Sequence, residues 1–212
     1  MLFVLRCTMT LINPGTFIAF QGTLGAGKTL NMTVMGALAA ASGQKVYANY
    51  RTVFAEPLQS ITHMFEVRNA VLLLDELQAI LDSREFKSNA ELTQWILIVR
   101  KLGLSVLYTT QFLGQVDLRV RHVTEWVYAC EKVMHRGHKA SKVTVVRWRG
   151  EAGRIARSYI LPHSDALYKL YDTYDYEVKL TRDGRVSSFD PRRPTDAAPT
   201  RALAARRGGG SA

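Results

Sequence analysis

The 212 residues suit one compact domain with a modest extension, which argues against two large domains. With 47% hydrophobic and 22% charged residues the chain can bury a sizeable core, which excludes global disorder; its longest apolar runs fall far short of the ~20 residues of a membrane-spanning helix, so no integral membrane segment is expected. Lys and Arg number 28 against 18 acidic residues, a net charge of +10 that suits a polyanionic partner such as nucleic acid, although solubility alone accounts for such a surplus equally well.

Residues 1–12 are apolar but broken by Arg6, with no basic leader or cleavage site following, so they read as a strand rather than a signal peptide. Cys7 and Cys130 are too few for a disulfide framework, and a reduced, cytoplasmic protein is expected. Residues 17–20 form an apolar strand that runs into a glycine-rich turn, and residues 28–41 read as a helix ending before Gly43. Residues 45–50 follow as a strand, and the continuous apolar run 70–74 predicts a central, buried one. Asn89 can cap a helix through Arg100 with Leu92, Ile96 and Val99 on one face, and residues 104–110 supply the next strand. Strands alternating with helices imply an α/β fold with a mainly parallel sheet. Beyond Val120, residues 125–130, 142–148 and 154–161 read as short strands joined by turns at 135–138 and 150–153, an antiparallel meander added at the sheet's C-terminal edge. Residues 164–171 predict a short helix. The basic Pro-, Arg- and Gly-rich tail at 190–212 is expected to be disordered, leaving 1–189 as the single folded domain.

Gly22-Thr23-Leu24-Gly25-Ala26-Gly27-Lys28-Thr29 fits the Walker A pattern G-x-x-x-x-G-K-[ST] and lies between a strand and a helix, where phosphate binding requires it. Its glycines let backbone N–H groups turn inward around phosphate oxygens, and the helix opening through Leu30 adds its positive end. In this setting Lys28 reaches the β- and γ-phosphates of ATP and the Thr29 hydroxyl ligates Mg²⁺. Asp75, at the end of the apolar run 70–74, resembles the Walker B carboxylate that holds the metal. Glu76 beside it is chemically suited to activate water; the competing reading makes the acidic pair a solvated start to the helix beginning at Leu77.

Arginine suits neutralisation of developing γ-phosphate charge, and Arg119, Arg121 and Arg100 are candidates for a finger inserted into a neighbouring subunit's site, against a solvated basic segment or a DNA contact. Lys132, His135, Arg136, His138, Lys139, Lys142, Arg147 and Arg149, with Tyr128 and Trp148 nearby, form the best candidate DNA-facing surface, or else a charged hairpin that discourages edge aggregation. The His135 and His138 pair has loose metal spacing without a nearby partner ligand.

GTLGAGKT, LLLDE, the strand end TTQ and the downstream QVDLRVR together resemble the FtsK/HerA superfamily of P-loop ATPases, most of all the genome-packaging ATPases of tailless, membrane-containing double-stranded DNA viruses. The resemblance spans roughly residues 17–175 and implies a three-layer P-loop NTPase of the additional-strand, catalytic-glutamate type. It implies that Glu76 activates the lytic water and that Gln111 is a polar sensor of the γ-phosphate. It further implies a homo-oligomeric ring, usually a hexamer, that pumps sequence-nonspecific double-stranded DNA into a preformed capsid, in the host cytoplasm or at the virion's packaging vertex, with a capsid or membrane protein as a further partner. Zonular occludens toxin-like ATPases of filamentous phages share this core and motif run, which makes an assembly or extrusion ATPase the alternative; they usually carry a membrane-spanning segment that is not expected here. A small-molecule kinase is the second alternative, disfavoured by the adjacent Asp75 and Glu76.

Overall fold

The structure, a computed structural model, describes residues 12–80, 89–149 and 152–172, with the backbone alone for 89–92 and 149. The expected strand at 1–12, except Ile12, and the tail at 190–212 lie outside the described residues. Strands β1 (Phe17–Gln21), β2 (Lys45–Ala48), β3 (Glu56–Pro57), β4 (Ala70–Leu74) and β5 (Ser105–Thr110) are interleaved with helices α1 (Lys28–Ala41), α2 (Ile61–Glu66), α3 (Leu77–Ile80) and α4 (Asn89–Ile98), in the order β1-α1-β2-β3-α2-β4-α3-α4-β5. Helix α5 (Leu118–Val123), strands β6 (Thr124–His135), β7 (His138–Arg149) and β8 (Ala152–Pro162) and helix α6 (Asp165–Tyr168) follow.

Among the described residues the strands form one sheet in the order β3-β2-β4-β5-β1-β6-β7-β8. Every pairing from β3 to β6 is parallel, and β6–β7 and β7–β8 are antiparallel. Strand β5 lies between β1 and β4, so an additional strand separates the strand before the glycine-rich loop from the strand before Asp75. This is the expected α/β, three-layer P-loop NTPase architecture, with its antiparallel strands at the C-terminal edge.

The layers follow from side-chain alternation. All five positions of β4 are buried. Leu72 and Leu74 join Met64 of α2, Trp95 and Ile96 of α4 and Val120 of α5 on one face, whereas Val71 and Leu73 join Met32, Met35 and Ala39 of α1 on the other. A strand apolar on both faces is stable only when both are covered. Each fully buried leucine contributes about 1.5–3 kcal/mol relative to exposure.

The C-terminal strands are much longer than the expected short ones. His135 pairs with His138 across a two-residue turn in which Arg136 and Gly137 both have positive φ, 50° and 79°, so the hairpin closes tightly and pairing runs its full length. The outer half of β6 carries exposed Glu131 and Lys132 beside half-buried Val133 and His135, so no one-sided apolar pattern marks it. Helix α4 stops at Ile98 rather than Arg100, because the chain turns through Gly103 (φ 67°) and Leu104 N–H donates to the Val99 carbonyl at 3.1 Å. The helix expected over 164–171 closes at Tyr168, and Tyr171 then bridges to Thr52.

Candidate nucleotide-binding and hydrolysis site

Strand β1 delivers the chain into the loop at residues 22–27, and α1 leaves it at Lys28. Two glycines there are required by what touches them. A Cβ at Gly22 would lie 2.3 Å from the carbonyl oxygen of Cys130 on β6; one at Gly27, already left-handed at φ 82°, would lie 2.1 Å from Ser141 Oγ on β7. The first helical bond runs from Asn31 N–H to the Gly27 carbonyl at 2.9 Å, and the N–H groups before it have no helical acceptor, as an anion-binding helix start requires. Lys28 is buried and its Nζ donates to the Thr23 carbonyl at 3.3 Å across the loop. Thr23, Leu24 and Gly25 form the exposed loop tip, with Leu24 81% exposed. Leu30 is buried in the protein interior, so only its backbone can serve a phosphate.

Thr29 Oγ1 donates to Asp75 Oδ1 at 2.9 Å, which brings together the two proposed metal ligands from α1 and the end of β4. Thr109 Oγ1 on β5 donates to the same carboxylate oxygen at 2.6 Å and accepts from Glu76 N–H at 2.8 Å. Asn49 clamps the Asp75 backbone from the end of β2: its Oδ1 accepts from Asp75 N–H at 2.7 Å and its Nδ2 donates to the Asp75 carbonyl at 3.1 Å. Burial raises the Asp75 carboxyl above the usual carboxylate range, against the opposing hydrogen bonds of Thr109 and Thr29. A hydroxyl and a carboxylate held together beside a phosphate-binding loop are the hard oxygen donors that Mg²⁺ takes, with water and substrate phosphate completing its shell.

Glu76 is half-buried at φ 49°, a left-handed conformation unusual for its type, and its Oε2 accepts from Gln78 Nε2. Gln111 is exposed directly after β5, the strand that carries Thr109. The three arginines differ. The Arg119 guanidinium is held within its own chain, Nε and Nη2 donating to the Asp117 carboxylate at 2.8 and 2.6 Å and Nη1 to Thr93 Oγ1 at 2.7 Å. Asp117 is consequently held below the usual carboxylate range. Arg121 is half-buried and its Nε has no hydrogen-bond partner. Exposed Arg100 packs its stem against Gly15, before the start of β1 and so at the far end of that strand from the loop.

On the meander Lys132, Arg136, His138, Lys139, Lys142 and Arg147 are exposed. Lys142 pairs with Glu131 at 3.5 Å and Arg147 with Glu125 at 3.8 Å. The aromatic residues grouped with them in the sequence do not join that surface: Tyr128 is wholly buried against Phe20, and Trp148 packs on the core.

Asn49, Thr109, Ser141 and His163 are the neighbours that motif reading misses. Thr109 lies in the TTQ strand end, but only the position of β5 between β1 and β4 shows that its hydroxyl meets Asp75. Ser141 and His163 lie more than a hundred residues from the loop they touch, and no local pattern marks them.

Fold and loop together define a P-loop NTPase of the additional-strand type. A family model for zonular occludens toxin (Zot) matches residues 51–174, more than half of the chain. The chain belongs to the zonular occludens toxin family and is a P-loop ATPase of that family. The match includes Asp75, Glu76, Gln111 and the arginines, and begins after the glycine-rich loop. Among solved structures, the chain is similar to the N-terminal domain of zonular occludens toxin from Neisseria meningitidis, with TM-score 0.51 and 20% identity over 74% of this chain and 98% of that one. It is also similar to the flagellar accessory protein FlaH from Methanocaldococcus jannaschii, with TM-score 0.52 and 11% identity over 71% of this chain and 88% of that one. At these identities the likeness concerns the fold. No curated protein matches the chain in sequence.

Proposed function

We propose that the chain is the ATPase motor of a filamentous-phage, zonular occludens toxin-like assembly or extrusion machine. The family match over residues 51–174 carries this reading and favours it over packaging into a preformed capsid and over a small-molecule kinase. In this reading the loop from Gly22 to Gly27, with Lys28 and the α1 start, binds the phosphates of ATP, and Thr29 and Asp75 hold Mg²⁺, which offsets charge on the transferring phosphoryl group. Glu76 takes a proton from the attacking water, and Gln111 offers an amide that can both donate and accept beside it. Subunits form a homo-oligomeric ring, and a neighbour's arginine completes the site. Arg121 suits that part better than Arg119, whose donors are engaged inside its own chain.

No described helix is long and apolar enough to cross a membrane, so in this reading a helical anchor of the motor is supplied by a partner or by residues outside those described. The test is phosphate release from Mg·ATP with and without long duplex DNA, together with co-flotation on vesicles carrying the phage's membrane partners. Hydrolysis indifferent to duplex, with flotation that needs those partners, is the expected result. Strong duplex stimulation without flotation would overturn the extrusion reading and restore capsid packaging.

A further inference from the structure

The glycine-rich loop is braced from outside by a chain of three side chains that none of the motifs contains. Ser141, wholly buried on β7, donates its hydroxyl to the Ala26 carbonyl at 2.7 Å. Its single proton is thereby committed, so the 2.8 Å contact between Ser141 Oγ and His163 Nε2 requires the nitrogen to be the donor. Nδ1 of the neutral ring then accepts from the Tyr168 hydroxyl at 2.9 Å. Burial, and then the nearby Lys139, lower the His163 pKa, which favours that neutral ring.

The Ala26 carbonyl and the Gly27 N–H belong to one peptide unit, and in a trans peptide they point in opposite directions. Fixing the carbonyl toward β7 therefore aims the N–H the other way. We propose that Ser141, oriented by His163, is a positioning residue that holds the Ala26–Gly27 peptide with its N–H turned into the phosphate cradle. Gly27 fits this arrangement because any side chain there would displace the Ser141 hydroxyl. The inference rests on the nucleotide-binding reading of the loop and extends it to two residues beyond the Walker motifs.

The test uses the full chain with Mg·ADP as the probe, read by isothermal titration and by the Gly27 amide resonance, at a temperature where circular dichroism shows each variant folded. Ser141→Ala and His163→Ala should each weaken Mg·ADP binding by about tenfold, the worth of one hydrogen bond, and shrink the ADP-induced displacement of the Gly27 resonance. His163→Gln, which keeps an N–H donor, should recover affinity to within about twofold of wild type. Ser158→Ala, which removes an exposed hydroxyl 3.3 Å from Thr144 Oγ1 on the same sheet, should change neither readout. Should Ser141→Ala fail to fold, the contrast between the two His163 variants decides. Wild-type affinity in the folded Ser141 and His163 variants, or a Gln variant as weak as the Ala variant, would overturn this inference alone; a wild-type chain that binds no Mg·ADP would overturn the nucleotide reading with it.

Discussion

His163 and Glu76 illustrate how much of the site is decided by single side chains whose type alone says little. His163 is held neutral by burial and by Lys139, with its pKa below the ordinary 6.5. The folded chain therefore binds fewer protons there than the unfolded chain between the two values. Its contribution to stability is full above about pH 6.5 and is lost as pH falls through the lowered folded pKa. Thermal unfolding followed from pH 7.5 to 5 should show a fall in Tm on acidification that is smaller in His163→Gln; equal slopes in both proteins would contradict this. Glu76 at φ 49° pays a modest conformational cost, on the order of 1 kcal/mol, and its backbone N–H is tied to Thr109. The sequence makes the pair Asp75 and Glu76 visible as chemistry because they end an apolar run. It leaves Thr109 and Asn49 hidden, since what makes them neighbours of Asp75 is strand order, and strand order is a long-range property.

At the scale of elements, β4 and α1 are legible because their patterns are strong: an unbroken apolar run buried on both faces, and a helix opening at the loop's lysine. Leu73 packs between α1 and the sheet with no exposed surface, so Leu73→Ala should cost about 2–5 kcal/mol in urea unfolding, whereas a loss under 1 kcal/mol would mean that this face is poorly packed. The meander was only partly legible. Its apolar inner halves mark strands, but the paired lengths of β6 and β7 depend on the tight turn at Arg136 and Gly137 rather than on burial. Its role is not visible locally at all: β6 approaches the loop at Gly22 and β7 at Gly27, so these two meander strands form one wall of the phosphate site. Helix α5 separates two arginines that look alike in sequence. Arg121→Ala should reduce ATP turnover by about 10³-fold or more with nucleotide binding retained, as loss of a finger does. Arg119→Ala should instead lower Tm, because it abandons the Asp117 carboxylate. Full turnover in the Arg121 variant, measured by phosphate release, would remove it from the site.

For the whole molecule, the net charge of +10 and the exposed basic side chains of β6 and β7 predict duplex binding that is independent of sequence and weakens steeply with salt. Such binding follows from charge and is separate from any effect of DNA on hydrolysis, so filter binding between 50 and 200 mM salt should show a strong decline even where turnover is unchanged; salt-independent binding would point instead to a shaped, specific interface. Membership of the zonular occludens toxin family moves the balance between the two motor readings, since motif content alone is shared by both. What both readings require is a hydrolytic site built from the loop, Thr29, Asp75 and Glu76. The most direct measurement is therefore phosphate release from Mg·ATP by wild type and Glu76→Gln, with ATP affinity measured on both. Hydrolysis by wild type, and a loss of about 10²–10⁴-fold in the variant at unchanged affinity, is the predicted result; equal turnover in the two proteins, or none in wild type, would contradict it.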